Sequence, residues 1–500
     1  MPGSESDFMT DFSANPAAKG FFAPQRFEAD VHDCEVVGKV PEGLNGAFVR
    51  VGGDWDYPAK HGDDSVFAQD GYISRFRFRG GKVDYKGRWV QTPRLIANRK
   101  AGRQLYGYYR NPYDNDPSVR DPDRPWLNTV ANTSVEAHAG KLFALKEDTH
   151  PYEINPVTLE TIGPCNFHGD YKSQTFTAHP KIDPVSGELL TFGYEATGLA
   201  TDDVFFYVID KGGRVTRETR LKVPYVSMIH DWAITQEHVI FPVFGYTTSL
   251  ERLRQKKIHW AWEKGAPTYF GILPRNGDAK DARWFKGPER AIVHTFNART
   301  VGSKVILDAP VFDSNPFPFF PFADGSKWDP AKGRALIRRI TFDLNSKDDG
   351  FTEEILFPNL GIVDLTRIDE RFMSLDNRYG FTSFRDAAKP FDETRAGNLS
   401  ARVTNSYGIF DLKDGTMRSY FAGDTHSLQE VTFVPRSKDS EEGDGWLVGV
   451  ANNYAEMRSE LVIADARHPE DGDVARVLLP FRSNVQVHGR WYGDDVLDFG

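Results

Sequence analysis

The chain has 500 residues and carries 61 basic against 71 acidic side chains, a formal net charge of −10. At 40% hydrophobic, 26% charged and 13% aromatic it has the composition of a globular protein long enough to bury a large core without staples. The acidic balance and the lack of a long basic run speak against a nucleic-acid partner, and two cysteines, Cys34 and Cys165, are too few for a secreted disulfide framework.

Residues 1–22 mix Ser, Asp, Asn, Pro and Gly with no apolar core flanked by basic residues, so they read as a poorly ordered segment and not as a signal peptide. Nowhere do about 18 apolar residues run together, so no transmembrane segment is expected. The expectation is a soluble cytoplasmic protein. In residues 74–92, Phe76 and Phe78 alternate with arginines, Gly80-Gly81 makes a turn, and Val83 and Tyr85 resume the alternation. That is a hairpin signature. Segments 203–210 and 214–223 flank Lys211-Gly212-Gly213 in the same way. Residues 249–257 are the clearest helical candidate, with Ser249 as a cap before Leu250 and Leu253. Two more strand pairs follow, 406–412 with 416–422 around Lys413-Asp414-Gly415, and 446–451 with 460–466 around a polar segment. Many hairpins and few helices argue for an all-β architecture, a β-propeller or a pair of sandwiches. No fixed-period repeat is evident, which divergent blades allow. No linker rich in Pro, Gly or Ser divides the chain, so a single domain over residues 1–500 is expected.

Four of the 13 histidines end apolar, strand-like stretches: His179 in Phe176-Thr-Ala-His179-Pro, His230 in Val226-Ser-Met-Ile-His230-Asp-Trp, His294 in Ala291-Ile-Val-His294-Thr-Phe and His488 in Val485-Gln-Val-His488-Gly-Arg-Trp. The first two gaps between them are each near the length of one propeller blade, about 40–50 residues plus loops. Equivalent strands of successive blades line a common axis, where such histidines would converge. Spacing alone also fits ordinary hydrogen-bonded core histidines. That reading is kept for His32, His61, His138, His150, His168, His238, His259, His426 and His468.

Several blocks carry a resemblance. They are Pro41-Glu-Gly-Leu-Asn-Gly-Ala-Phe-Val-Arg50, Asp70-Gly71, Tyr85-Lys-Gly-Arg88-Trp-Val-Gln-Thr92, Ala131-Asn132-Thr133, Asn155-Pro-Val-Thr-Leu-Glu-Thr161, Ala178-His179-Pro180, Ile229-His230-Asp231 and Val487-His488-Gly489-Arg-Trp491. Together they resemble the carotenoid cleavage oxygenases, from about Pro41 to the C-terminus. The resemblance implies a seven-bladed β-propeller, capped by loops and short helices on its active-site face. It also implies one Fe(II) per chain, held on the axis by His179, His230, His294 and His488. The chemistry suits the residue type, because neutral imidazoles bind ferrous iron and four of them leave two of six octahedral positions open. Zinc, the generic guess for a histidine cluster, has no redox chemistry, and four histidines would close its tetrahedral site.

In that family three glutamates orient the iron-bound imidazoles. Glu147 and Glu430 match two of them, in Leu145-Lys-Glu147-Asp and Leu428-Gln-Glu430-Val-Thr-Phe-Val-Pro435. The third aligns with Val363-Asp364-Leu-Thr-Arg367-Ile368-Asp369, where the acid is Asp364 and the family proline is absent. An aspartate reaches about 1.5 Å less far. Either the backbone approaches more closely or one histidine is oriented by water.

Within the family, Arg50-Val51-Gly52-Gly53-Asp54-Trp55 and Ala68-Gln69-Asp70-Gly71-Tyr72 depart from the carotenoid cleavers and look like the lignostilbene dioxygenases. So do Tyr109-Arg110-Asn111-Pro112, Asp116-Pro-Ser-Val119, Ala137-His138-Ala-Gly-Lys141 and Pro316-Phe-Pro-Phe-Phe-Pro321. In that branch a tyrosine and a lysine bind the 4-hydroxyl of a stilbene. Tyr109, with adjacent Tyr108 as competitor, and Lys141 match them. Phe317, Phe319 and Phe320 are either a wall against a flat aromatic substrate, Phe319 foremost, or ordinary loop core. The implied reaction is cleavage of the central double bond of a 4-hydroxystilbene by dioxygen, giving two aromatic aldehydes, in a chain that assembles as a homodimer. Carotenoid or apocarotenoid cleavage is the alternative, and a non-catalytic propeller that binds a partner is a rival of a different class.

Overall fold

Tight turns set the architecture. Gly80 and Gly81 both take positive φ, 58° and 80°, the backbone of a two-residue hairpin turn between Asp70–Arg79 and Lys82–Trp89. The computed structural model describes residues 10–12, 18–360, 364–397 and 403–500. Of the expected poorly ordered N-terminal segment, residues 1–9 and 13–17 lie outside the described residues. The described strands form seven antiparallel sheets of four or five strands and one two-stranded ribbon, Tyr246–Thr247 with Ala261–Trp262. The sheets are the blades of a seven-bladed β-propeller, as the resemblance implied.

Blade one closes the ring. Its inner strand is the C-terminal Gln486–Gly493, paired with Gly46–Asp54 from the start of the chain. The inner strands of blades two to seven are Ser134–His138, Lys181–Ile182, Ala233–Ile234, Asn297–Val301, Asp364–Arg367 and His426–Pro435. In blades two to six the other strands follow outward in chain order, so each blade folds from local hairpins. The strands of blade seven also run outward in chain order, and Glu35–Gly38 adds its outermost strand. The anticipated hairpins are present as Asp203–Ile209 with Val215–Lys222, Ser406–Asp411 with Thr416–Phe421, and Gly445–Asn453 with Arg458–Asp465.

The expected helix is Leu250–Arg254, with Ser249 Oγ accepting from the Arg252 N–H at 3.1 Å. A second helix, Pro93–Ala101, was not anticipated. Thr92 Oγ1 caps it by accepting from the Leu95 N–H at 3.2 Å, Pro93 opens it, and Gly102 ends it in the left-handed region at φ 65°. Both cysteines are free thiols. Among the described residues no helix is long and apolar enough to cross a membrane.

The seam of blade one is packed by Phe48, fully buried and paired with Trp491 across the closure. Phe48→Ala removes that packing, and a loss of about 3–5 kcal/mol of stability is expected in chemical denaturation. A loss below about 1 kcal/mol would mean that the seam does not carry the closure.

Candidate metal centre

His179, His230 and His294 lie in the segments that enter the inner strands of blades three, four and five, and His488 lies in the closing strand of blade one. All four are buried, and one ring nitrogen from each lies within 4.8 Å of those of the other three. The Nε2 atom of His230 is 3.2 Å from that of His179 and 3.2 Å from that of His294. The Nε2 of His294 is in turn 3.2 Å from that of His488.

Carboxylates hold three of the rings from behind. Glu147 contacts the Nδ1 of His230 through Oε1. Asp364 Oδ2 is 2.8 Å from the Nδ1 of His294, and Glu430 Oε1 is 2.8 Å from the Nδ1 of His488. A carboxylate accepts the Nδ1–H and so leaves Nε2 without a proton. Unprotonated Nε2 lone pairs 3.2 Å apart cannot bond one another, and they repel unless a cation sits between them. Metal–nitrogen bonds of about 2.1 Å at right angles place neighbouring nitrogens about 3.0 Å apart, so the donor set fits a single metal ion.

The electrostatics hold two of the four imidazoles, His179 and His488, in the neutral form. Burial, together with the neighbouring imidazoles and Lys181, holds His179 well below the usual imidazole range. Burial outweighs the Glu430 carboxylate and draws His488 down to about 4. At His294 burial acts in the same direction, but the charge and hydrogen bond of Asp364 win and raise it. Burial pushes Glu147 and Glu430 up. His230 and Lys146 nevertheless bring Glu147 down to about 2, and Arg367 and His488 do the same for Glu430. Both therefore stay ionised and able to accept.

β-Bulges aim three of these side chains. In the closing strand His488 pairs with Val51 and Gln486 with Gly52, which leaves Val487 as the extra residue. Glu430 falls in the register shift between Leu428 and Val431. Asp364 opens a strand whose register shifts before Arg367, and Leu365 there has a left-handed φ of 64°. A bulge bends the strand and turns one side chain out of its alternation. The shorter aspartate nevertheless reaches His294 directly. Arg367 then braces Glu430, donating to its carboxylate at 2.9 Å and to the Gly489 carbonyl at 3.1 Å.

Two cavities flank the histidines. One is polar and runs beside His179, His294 and His488, lined by Glu136, Lys181, Asp231, Arg367, Glu370, Glu430 and Arg490. The other is apolar and touches His230 and Glu147, with Phe67, Tyr109, Met228, Phe317 and Phe320 as its walls. Tyr109 is buried, with its hydroxyl 3.5 Å from Glu147 Oε2. Its competitor Tyr108 faces the other way, stacked on His61 and donating to Asp63 at 2.9 Å. Phe317 and Phe320 line the cavity. Phe319 packs behind them, stacked on Phe317 at 5.0 Å, and is not part of the wall.

Lys141 does not reach this site. It starts strand Lys141–Leu145 at the hairpin end, 43% exposed, and pairs with Glu153 at 2.7 Å. Glu147 lies just past the opposite end of that strand, and five residues of strand span about 16 Å. The lysine that does reach it is Lys146, which the sequence reading missed. Its Nζ is buried 4.4 Å from the centre of the Tyr109 ring and 5.1 Å from that of Phe67, and it donates to Asn132 at 2.8 Å. The available signal was its place directly before Glu147, at the axial end of the strand. Burial draws its ammonium down to about 8. Arg110, ion-paired with Glu195 at 2.7 Å, donates to the Glu147 carbonyl at 3.1 Å and fixes this end of the strand.

Residues 22–493 match the family model described as retinal pigment epithelial membrane protein. The chain is 40% identical to an isoeugenol monooxygenase of Pseudomonas putida over 97% of this chain and 99% of the other. It is 38% identical to lignostilbene-alpha,beta-dioxygenase isozyme III of Sphingomonas paucimobilis, over 97% and 98%. The crystal structure of Pseudomonas brassicacearum lignostilbene dioxygenase superposes with a TM-score of 0.93 at 40% identity, over 97% of this chain and 100% of that one.

Removing a carboxylate behind a ligand is expected to weaken metal binding about 10–100-fold. Competition against a chromogenic chelator would read this for Asp364→Ala and Glu430→Ala. Unchanged affinity in either folded variant would show that its carboxylate does not orient the ring.

Proposed function

The chain belongs to the carotenoid cleavage oxygenase family, whose model carries the retinal pigment epithelial membrane protein description, and from that membership and its axial site we propose that it is an iron-dependent dioxygenase cleaving the central double bond of a 4-hydroxystilbene. The alkene and one dioxygen become two aromatic aldehydes, each aldehyde taking one oxygen atom. His179, His230, His294 and His488 would hold Fe(II), and Glu147, Asp364 and Glu430 would orient three of them. Bound there, ferrous iron supplies open coordination positions for dioxygen and the redox capacity that zinc lacks.

The observation that carries this reading is the pairing of Tyr109 with Lys146 at the wall of an apolar cavity that touches His230. Burial, Asp148 and Glu147 keep the Tyr109 hydroxyl protonated, so it donates to a phenol oxygen placed beside it. Lys146 takes the role the resemblance gave to Lys141. With its ammonium drawn down to about 8, Lys146 in its neutral amine form takes the phenol proton, and the ammonium so formed stabilises the phenolate. Electron donation from that oxygen through the ring enriches the alkene. Phe67, Phe317, Phe320 and Met228 pack against the flat rings and keep water out. A homodimer in the cytoplasm, acting in the breakdown of lignin-derived aromatics, is proposed on the resemblance alone.

A second reading rests on the likeness to isoeugenol monooxygenase, whose 40% identity equals that of the Pseudomonas brassicacearum lignostilbene dioxygenase. The same phenol site would then take a propenylphenol and release one aromatic aldehyde and acetaldehyde. Product analysis separates the two readings.

After anaerobic loading with iron, oxygen uptake and aldehyde formation are expected with a 4-hydroxystilbene and not with its 4-methoxy analogue. Turnover of both at similar rates would remove phenol activation from the mechanism. Lys146→Met is expected to lower kcat/KM about 100-fold, whereas Lys141→Met changes it less than about twofold. The reverse order would restore Lys141 to the site.

A further inference from the structure

Lys181, Asp231 and Thr295 each follow a histidine of the axis by one or two positions, and all three are buried. They meet. Asp231 Oδ1 is 2.7 Å from the Lys181 Nζ, while its Oδ2 accepts from the Thr295 N–H at 2.8 Å and from the Thr295 hydroxyl at 2.9 Å. The Thr295 carbonyl in turn accepts from the Thr366 hydroxyl at 2.9 Å, two residues beyond Asp364. Trp232, next in the chain, donates its indole N–H to the His179 carbonyl at 2.8 Å.

We propose that Asp231 is a positioning residue that sets the mutual spacing of the segments bearing His179, His230 and His294, and through that spacing the metal affinity of the axis. The inference rests on the reading of the four histidines as a metal site and needs nothing about the substrate. These three histidines lie in the segments that enter three separate sheets, and among the described strands none of one sheet is paired into the next. Spacing between the ligands is therefore only as firm as the side chains that cross from blade to blade. Asp231 crosses two gaps at once, toward blade three through Lys181 and toward blade five through Thr295. Its bonds are those of a buried charge, which are strong when complete and costly when one partner is removed. Metal-ligand geometry changes over a few tenths of an ångström, which is what such a cross-tie can hold.

The test uses the folded, metal-free full chain and Co(II), whose visible absorption reports ligand number and geometry without turnover. Asp231→Asn is expected to raise the Co(II) dissociation constant about 10–100-fold and to shift the absorption band. Lys181→Met should act in the same direction, because it strands the carboxylate, and the double variant should lose less than the two single losses combined. Thr295→Val, a milder change, gives a smaller loss of the same sign and serves if Asp231→Asn fails to fold. A lower Tm with unchanged affinity and an unchanged spectrum in these variants would overturn the proposal, leaving Asp231 a structural residue. Wild-type protein that binds no Co(II) would overturn the metal reading itself, a result distinct from the first.

Discussion

Four imidazole nitrogens brought within 4.8 Å of one another are the constraint on which the rest of this structure depends. Without a cation the arrangement is unfavourable, because three of the rings have their other nitrogen engaged by a carboxylate and present bare lone pairs to the centre. The protein must therefore hold the rings in place from outside. It does so with one polar group from each of the seven blades: a histidine from blades one, three, four and five, and a carboxylate from blades two, six and seven. A propeller suits this task because its inner strands all reach the axis, while the outer strands of each blade supply the packing.

An axial position alone does not aim a side chain. Regular alternation would leave neighbouring residues of an inner strand facing opposite sides of the blade. The bulges at Val487, at Gln429 and Glu430, and after Asp364 break that alternation at the residues that must face the centre. The left-handed Leu365 is the clearest case, since its backbone strain accompanies a carboxylate one methylene shorter than the family glutamate. Glu430 is held from both sides, by Arg367 and by the Gly489 N–H at 2.8 Å, so the ligand and its orienting group share the same backbone support.

The two faces of the cluster differ in chemistry. On one side the charges of Lys181, Asp231, Arg367, Glu370 and Arg490 are paired among themselves and line a polar chamber. On the other, aromatic rings from three separate segments meet around His230, with the buried ammonium of Lys146 against them. The apolar side is the one that suits the aromatic substrate proposed above.

Much of this was legible from the chain. Paired strands around Gly80-Gly81 and Lys413-Asp414-Gly415 announce hairpins, because glycine takes the positive φ that such turns require at the least steric cost. The motifs around His179, His230, His294 and His488, read with the family resemblance, identified the cluster and the carboxylates behind it. Local patterns of this kind are carried by residues close in sequence, so composition and spacing record them. The sequence pointed to Lys141 where Lys146 is the lysine beside the axial cavity, and it left open whether Asp364 reaches its histidine and which phenylalanine lines the cavity. Each depends on where a strand begins and ends relative to the propeller axis, or on a single bulge that shifts the register. Those are set by packing between blades far apart in the chain, and only the closed ring decides them.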